Sequence, residues 1–321
     1  MEIAFLTDPL DTFKIGKDST FAIMQAAAAR EHTLYAFEQP DISLSDEKVT
    51  AQVRQISLTG SETADWYRVE NTLSRELCQF DAVIVRKDPP FDMNYVFSTW
   101  LLEIAEWQGA RVFNRPRALR DYSEKLSIAR FPQFVVPTRV GSDKAMLQEF
   151  HAVHHDVIFK PIDGMGGAGV FRIGPDGMNL GATIEMLTRE GTTPVMAQRY
   201  IPEIRLGDKR ILLIAGEVVP YALARTPQAG EVRGNLAAGG IGIAQPLSDR
   251  DKQIAQTLAP RLAEEGLFLV GLDVIGDWLT EINVTSPTCF REITQQTGFD
   301  VAGLFVTALE NTLRPAMSRA H

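Results

Sequence analysis

Cysteine is nearly absent. Cys78 and Cys289 are the two in 321 residues, and they stand far apart in no CxxC or metal-ligand spacing, which removes a disulfide framework and a zinc ribbon. Missing as well is any run of 18 apolar residues, so no segment reads as a membrane-spanning helix. The N-terminus MEIAFLTDPLDTFKIG has no basic start, apolar core or small-residue cleavage site, and a cytoplasmic location is expected. Positive charge is in deficit, with 32 Lys and Arg against 41 Asp and Glu and a net charge of −9. The cationic footprint demanded by a nucleic acid or a membrane surface is therefore lacking. The five histidines have no motif around them, and neither an internal repeat nor a low-complexity tract is present. What remains is an ordinary globular composition, 45% hydrophobic and 23% charged, suited to a small-molecule substrate. An anionic substrate would need local clusters of Lys and Arg.

The chain is long enough for two or three domains. Through its first 120 or so residues, short apolar runs alternate with helical stretches: a strand at 3–8, a helix through FAIMQAAAARE capped by Asp18 or Ser19, a strand at 81–88, a helix at 95–108 and a strand at 110–114. This βαβ rhythm predicts a parallel sheet. A helix carrying Glu124-Lys125-Leu126 then leads into FPQFVVPT, where Pro132 and Pro137 favour extended chain and place a domain boundary nearby. Next come helices at 143–152 and 180–190 and strands at 156–162, 170–173 and 194–201. From Arg205 onward the pattern is antiparallel. Segments 209–225 and 267–284 divide at Ala215-Gly216 and Gly276-Asp277, as hairpins do, and helices at 249–264 and 300–313 would cover one face.

Three constellations carry chemistry. Gly164, Gly166 and Gly169 satisfy GxGxxG, but VFRI after them reads as a strand, whereas a dinucleotide fingerprint must open a helix. Without GK[ST] the segment is no Walker loop either, which leaves a glycine hairpin, either purely structural or able to bring backbone N–H groups against phosphates. Lys160 ends the strand before it, and Lys125 is a second cation for the same phosphates. Further on, strand periodicity puts Glu281 and Asn283 on one face, with Asp273 across the hairpin within about one residue of register. That is a hard-oxygen set suited to Mg²⁺. Finally, Asp208 and Arg210 share a face, Arg225 closes the same hairpin, and Arg233 lies in the Gly/Ala-rich stretch 227–242. Together these cations supply the cluster that an acidic protein needs to hold a polyphosphate.

The order of lysine, glycine loop, arginine-bearing hairpin and Asp…Glu-x-Asn resembles the ATP-grasp superfamily. More narrowly, VRKDPPFD (85–92), DGMGGAGVFRI (163–173), GDKRILLI (207–214), RGNLAAGG (233–240) and VGLDVIGDWLTEINVTSPT (270–288) resemble the bacterial glutathione synthetase family, from Ile3 through the DST at 18–20 to about Leu313. The resemblance implies an α/β (α+β) ATP-grasp fold in three parts. These are an N-terminal parallel-sheet α/β domain (1–122), a small central domain (123–204) and a C-terminal antiparallel-sheet domain (205–321) with a lid at 227–242. ATP would be held by Lys125, Lys160, Gly164, Gly166, Gly167, Asp208 and Arg210, with Gln198, Arg199, Tyr200 and Ile201 as the adenine hinge. Asp273, Glu281 and Asn283 would hold Mg²⁺ or Mn²⁺. Arg86, Arg225, Arg233, Asn235, Ser286 and Thr288 would surround the peptide or acyl phosphate, with Arg210, Arg225 and Arg233 stabilising the transferring phosphoryl group. The implied reaction joins γ-glutamylcysteine to glycine, in a homotetramer. A different ATP-grasp carboxylate–amine ligase and a silent nucleotide-binding regulator are the alternatives. The family commonly reads AAGGRG where this chain has Ala-Ala-Gly-Gly-Ile241-Gly242, so a cation expected at the far end of the lid is missing.

Overall fold

The computed structural model describes residues 1–314 apart from 62, 64, 229–233 and 235–238. Arg233, Asn235 and most of the expected lid lie outside the described residues.

The N-terminal sheet has strands β1 (Glu2–Leu6), β2 (Thr33–Phe37), β3 (Ile42–Ser45), β4 (Lys48–Leu58), β5 (Tyr67–Glu76), β6 (Ala82–Val85) and β7 (Val112–Phe113). Their order is β3-β4-β2-β1-β6-β7, with β5 paired to β4. Pairings β1–β2, β1–β6 and β6–β7 are parallel, as the βαβ rhythm predicts. Strands β3 to β5 extend this sheet in antiparallel fashion, an addition that the polar alternation of YRVENTLSRE had hidden. Helices α1 (Ser19–Ala28), α2 (Met93–Trp107) and α3 (Pro116–Asp121) flank the sheet. Asp18, not Ser19, caps α1, its carboxylate accepting from Phe21 N at 2.7 Å.

The expected helix around Glu124 is absent. Residues 126–130 form a 3-10 turn instead, and Glu124 and Lys125 precede it in irregular chain. A four-stranded antiparallel sheet follows, in the order β10-β9-β11-β8, from β8 (Thr138–Gly141), β9 (Val157–Pro161), β10 (Phe171–Ile173) and β11 (Val195–Arg199), with α4 (Lys144–His154) and α5 (Leu180–Thr188) packed on it. Its core is compact: Leu147, Phe150, Val157, Phe159, Ile173, Ile184, Val195 and Ala197.

The C-terminal sheet is antiparallel, in the order β14-β13-β12-β15-β16: β12 (Asp208–Ile214), β13 (Glu217–Thr226), β14 (Ile241–Pro246), β15 (Leu269–Ile275) and β16 (Trp278–Asn283). Ala215 and Gly216 turn the first hairpin with φ of 50° and 83°, left-handed backbone that glycine adopts without penalty. Ile241 and Gly242, expected in the lid, open β14 opposite Arg225 and Thr226. Helices α6 (Asp249–Glu264), α7 (Phe290–Thr297) and α8 (Val301–Leu313) complete the chain. Two apolar clusters run without a break from the N-terminal into the C-terminal sheet. One joins Leu6, Val83 and Leu102 to Ile211, Leu258 and Leu272, and the other joins Phe5, Phe21 and Ile84 to Leu212, Phe290 and Phe305. Asn114 pins the same junction, donating to Leu269 O and Val284 O and accepting from Phe268 N and Leu269 N at 2.6–2.8 Å.

Candidate functional site

Charge lies in a row across the C-terminal sheet. Asp208 on β12 stands opposite Arg225 on β13, Arg210 opposite Asp273 on β15, and Asp273 opposite Glu281 on β16. Directly opposed residues share a face, so five side chains converge. Arg210 grips Asp273 with both arms of its guanidinium, Nε to Oδ1 at 2.5 Å and Nη2 to Oδ2 at 3.0 Å. Arg225 Nη2 reaches Asp208 Oδ2 at 2.6 Å and Asp273 Oδ2 at 3.0 Å. Space for Arg210 comes from Gly271, where a Cβ would stand 2.8 Å from Arg210 Cδ.

The two aspartates respond in opposite senses. For Asp273 burial would raise the carboxyl, but Arg210 and Arg225 outweigh it and hold it well below the usual carboxylate range. For Asp208 burial prevails and pushes the carboxyl up to about 7: Arg225, the cation it pairs with, is shared with Asp273, Arg210 helps less, and both Asp273 and Glu281 repel added charge. Among the described residues Asp208 Oδ1 is buried without a hydrogen-bond partner.

Glu281 faces the cleft because of a β-bulge. Asp273 pairs with Glu281 but Val274 pairs with Leu279, which leaves Thr280 as an extra residue whose hydroxyl donates to Asp273 O at 3.1 Å. Strict alternation would put Leu279 on the face of Glu281 and Asn283. The bulge lets Leu279 and Ile282 both enter the core while the two polar side chains turn outward. Lys125 Nζ and Lys160 Nζ each lie 3.5 Å from Glu281 Oε1, and Lys125 also donates to Gly164 O in the glycine hairpin. Both lysines are buried; burial lowers the Lys160 ammonium, with Glu281 opposing and Lys125 adding to the effect.

Two clefts meet at Glu281. In the first, Lys160, Gln198, Arg199, Tyr200, Ile201 and Asp208 surround a space whose apolar walls include Ile158, Val170, Ile204 and Ile275. The second is lined by Gly164, Gly166, Arg210, Arg225, Asn283, Ser286 and Thr288. Lys125, Gly167 and Asp273 border neither, and Arg86 lies behind the second wall, donating Nε to Thr20 Oγ1 and Nη2 to Pro287 O, both at 3.0 Å, with Nη1 buried and, among the described residues, unpartnered. The DST segment is thereby accounted for: Asp18 caps α1, Ser19 accepts from Phe290 N at 3.2 Å, and Thr20 holds Arg86.

Sequence reasoning passed over Glu124, Asp88 and Cys289, which line the second cleft. Glu124 is the most consequential. Its Oε1 accepts from Val284 N (3.0 Å), Thr285 N (3.2 Å) and Thr285 Oγ1 (2.9 Å), and its carbonyl accepts from Ile282 N at 2.8 Å. Adjacency to Lys125 was the one signal available. The donors fit a divalent cation bound together with phosphates: among the described residues Glu281 pairs with the two lysines at 3.5 Å and Asp208 Oδ1 has no donor, and Asn283 offers an amide oxygen while its Nδ2 donates to Gly271 O at 3.2 Å.

Comparison with known proteins agrees with this layout. Residues 1–120 match the N-terminal domain of prokaryotic glutathione synthetase, and residues 124–298 match its ATP-grasp domain. Glutathione synthetase of Ralstonia nicotianae is 65% identical over 310 residues, 97% of this chain and 95% of the relative. That of Nitrosomonas europaea is 56% identical over 98% of each chain. Among solved structures, the D-cycloserine synthetase DcsG superposes with a TM-score of 0.70 at 16% identity over 98% of this chain and 100% of that one. The ATP-grasp ligase PsnB, complexed with precursor peptide and AMPPNP, gives 0.63 at 20% over 98% of both. These two likenesses concern the fold alone. By its sequence along nearly its whole length, the chain belongs to the prokaryotic glutathione synthetase family of ATP-grasp ligases.

Proposed function

We propose that the two clefts form one reaction path, in which ATP phosphorylates the carboxylate of γ-glutamylcysteine and the amine of glycine displaces phosphate, giving glutathione, ADP and phosphate. The observation that carries this is Glu281, the shared wall of both clefts, reached by Lys125 from the side of the glycine hairpin and by Lys160 from the first cleft. A free carboxylate is a poor acyl donor because oxide is a poor leaving group; phosphorylation replaces oxide by phosphate. In this reading the adenine lies along Gln198–Ile201 among apolar walls, and Lys125, Lys160 and Gly164–Gly167 hold the phosphates. Arg210 and Arg225 face the charge that develops on the transferring phosphoryl oxygens. Their own positions are fixed in advance by Asp273 and Asp208, so little reorganisation is needed as the charge forms. Arg86, through its vacant Nη1, and Ser286 and Thr288 orient the peptide; Arg233 and Asn235 are assigned to the same substrate by family resemblance. Mg²⁺ or Mn²⁺ held by Glu281 and Asn283, with Asp273 behind them, would neutralise phosphate charge. The division at 122 and 204, homotetrameric assembly and a cytoplasmic location belong to the same proposal; among the described residues no helix is long and apolar enough to cross a membrane.

ADP release tests the reading. It should be fast with γ-glutamylcysteine plus glycine and at least tenfold slower with other peptide–amine pairs. Equal rates with a different pair would reassign the substrate within the ATP-grasp ligases.

A further inference from the structure

Alternation along β11 sends its side chains two ways. Val195 and Ala197, with Val157 and Phe159 of the neighbouring β9, enter the small core. Gln198 points to the opposite side with its register partner Ile158, and Lys160 lies two residues further along that face. All three line the first cleft. Gln198 is 4% exposed, and at such burial which end of the amide faces which neighbour is decided by matching donors to acceptors.

The match is set from β8. Thr138 stands opposite Gln198 in the β8–β11 ladder and borders neither cleft. A hydroxyl has one proton to give, and Thr138 donates it to Val136 O at 2.8 Å. Its oxygen is left as an acceptor, and Gln198 Nε2 donates to it at 3.0 Å. With the amide reversed, Gln198 Oε1 would meet Thr138 Oγ1. The single proton could then serve Oε1 or the carbonyl of buried Val136, never both, so one acceptor would go without a donor.

We propose that Thr138 is a positioning residue for choice of the nucleotide base. By fixing Gln198 with its oxygen toward the cleft, it makes the site take a purine with an amino group at C6 and refuse one with a carbonyl there. An amino group donates to Oε1. A carbonyl oxygen meets Oε1 acceptor to acceptor, and neither can supply a proton. The inference rests on the placement of the base along Gln198–Ile201 proposed above and is independent of the peptide substrate.

Calorimetry of nucleotide binding to the full chain, with Mg²⁺ and no peptide, tests it. Inosine triphosphate is the probe, since it carries the C6 carbonyl without the extra 2-amino group of GTP. Wild type should bind ATP about tenfold or more tighter than inosine triphosphate. Thr138→Val keeps the shape but removes the acceptor, so the amide is free to turn and the preference should shrink by about fivefold or more. Thr138→Ser retains the hydroxyl and should keep the wild-type preference. Should the valine variant fail to fold, Gln198→Met supplies a second readout: with no amide to orient, it should lose the same part of the preference. A wild type without preference, a folded Thr138→Val that keeps it or weakens both nucleotides equally, or a serine variant that loses it as valine does would each overturn the role of Thr138. A preference kept in Gln198→Met would overturn the placement of the base as well.

Discussion

At Asp208 burial outweighs the pairing with Arg225, and the resulting pH behaviour has a definite sign. With the folded carboxyl raised to about 7, the native chain keeps a proton that the unfolded chain gives up near 3.8. That contribution to stability is whole below 3.8, declines as pH climbs, and is gone above about 7. Asp208→Asn stays neutral throughout, so its Tm should gain on wild type between about pH 5 and pH 7.5, by on the order of a few degrees. A Tm difference that stays constant with pH would mean that Asp208 ionises as freely in the folded chain as in the unfolded one. Glu281→Gln keeps the shape but removes the carboxylate with which both Lys125 and Lys160 pair. Turnover should fall by about two orders of magnitude or more at every Mg²⁺ concentration, with far-UV circular dichroism retained. Lys160→Ala should weaken ATP binding by about 1–3 kcal/mol, the scale of one charge-assisted contact, as read by calorimetry. In the sequence these residues were legible as chemistry and not as environment. Arg225 alone looks like surface charge, and only the register of β12, β13 and β15 reveals that it is buried between two aspartates.

At the scale of elements, β16 is shaped by a bulge within and a strap outside. The hairpins at Ala215-Gly216 and Gly276-Asp277 could be read directly, because turn residues and apolar runs are local signals. Glu124 could not, since its partners are Ile282, Val284 and Thr285, about 160 residues away, and no local pattern announces such a contact. Nor was the part of the sheet from β3 to β5 read: β4 does alternate, burying Val49, Ala51 and Val53, but β5 leaves most of its side chains exposed and lacks an apolar run. Glu124→Ala removes the acceptor of three hydrogen bonds and frees the end of β16, so kcat should fall about tenfold or more while KM for ATP changes less. Glu124→Gln, which retains an accepting oxygen, should recover most of the loss. Equal loss in both variants would show that the negative charge matters rather than the strap.

Across the whole molecule, the two larger sheets share their apolar layers while the four-stranded sheet keeps an eight-residue core to itself. The first cleft lies between that smaller body, which contributes Ile158, Lys160 and Gln198, and the larger one, which contributes Asp208, Ile275 and Glu281. Few apolar contacts resist opening of such a body, so hydrogen exchange should be fastest in β8 to β11 and should slow there when ATP binds. Uniform protection with and without nucleotide would contradict this. For anyone cutting the gene, the shared layers have a further consequence. The family boundary near residue 120 divides two sequence modules but cuts across a shared apolar layer, in which Phe5 and Ile84 on one side cluster with Leu212 and Phe305 on the other. A fragment ending at 122 would leave the cell with half an interior turned to water. Expressed alone it should be recovered from inclusion bodies, and supplying residues 123–321 as a separate chain should draw it back into solution.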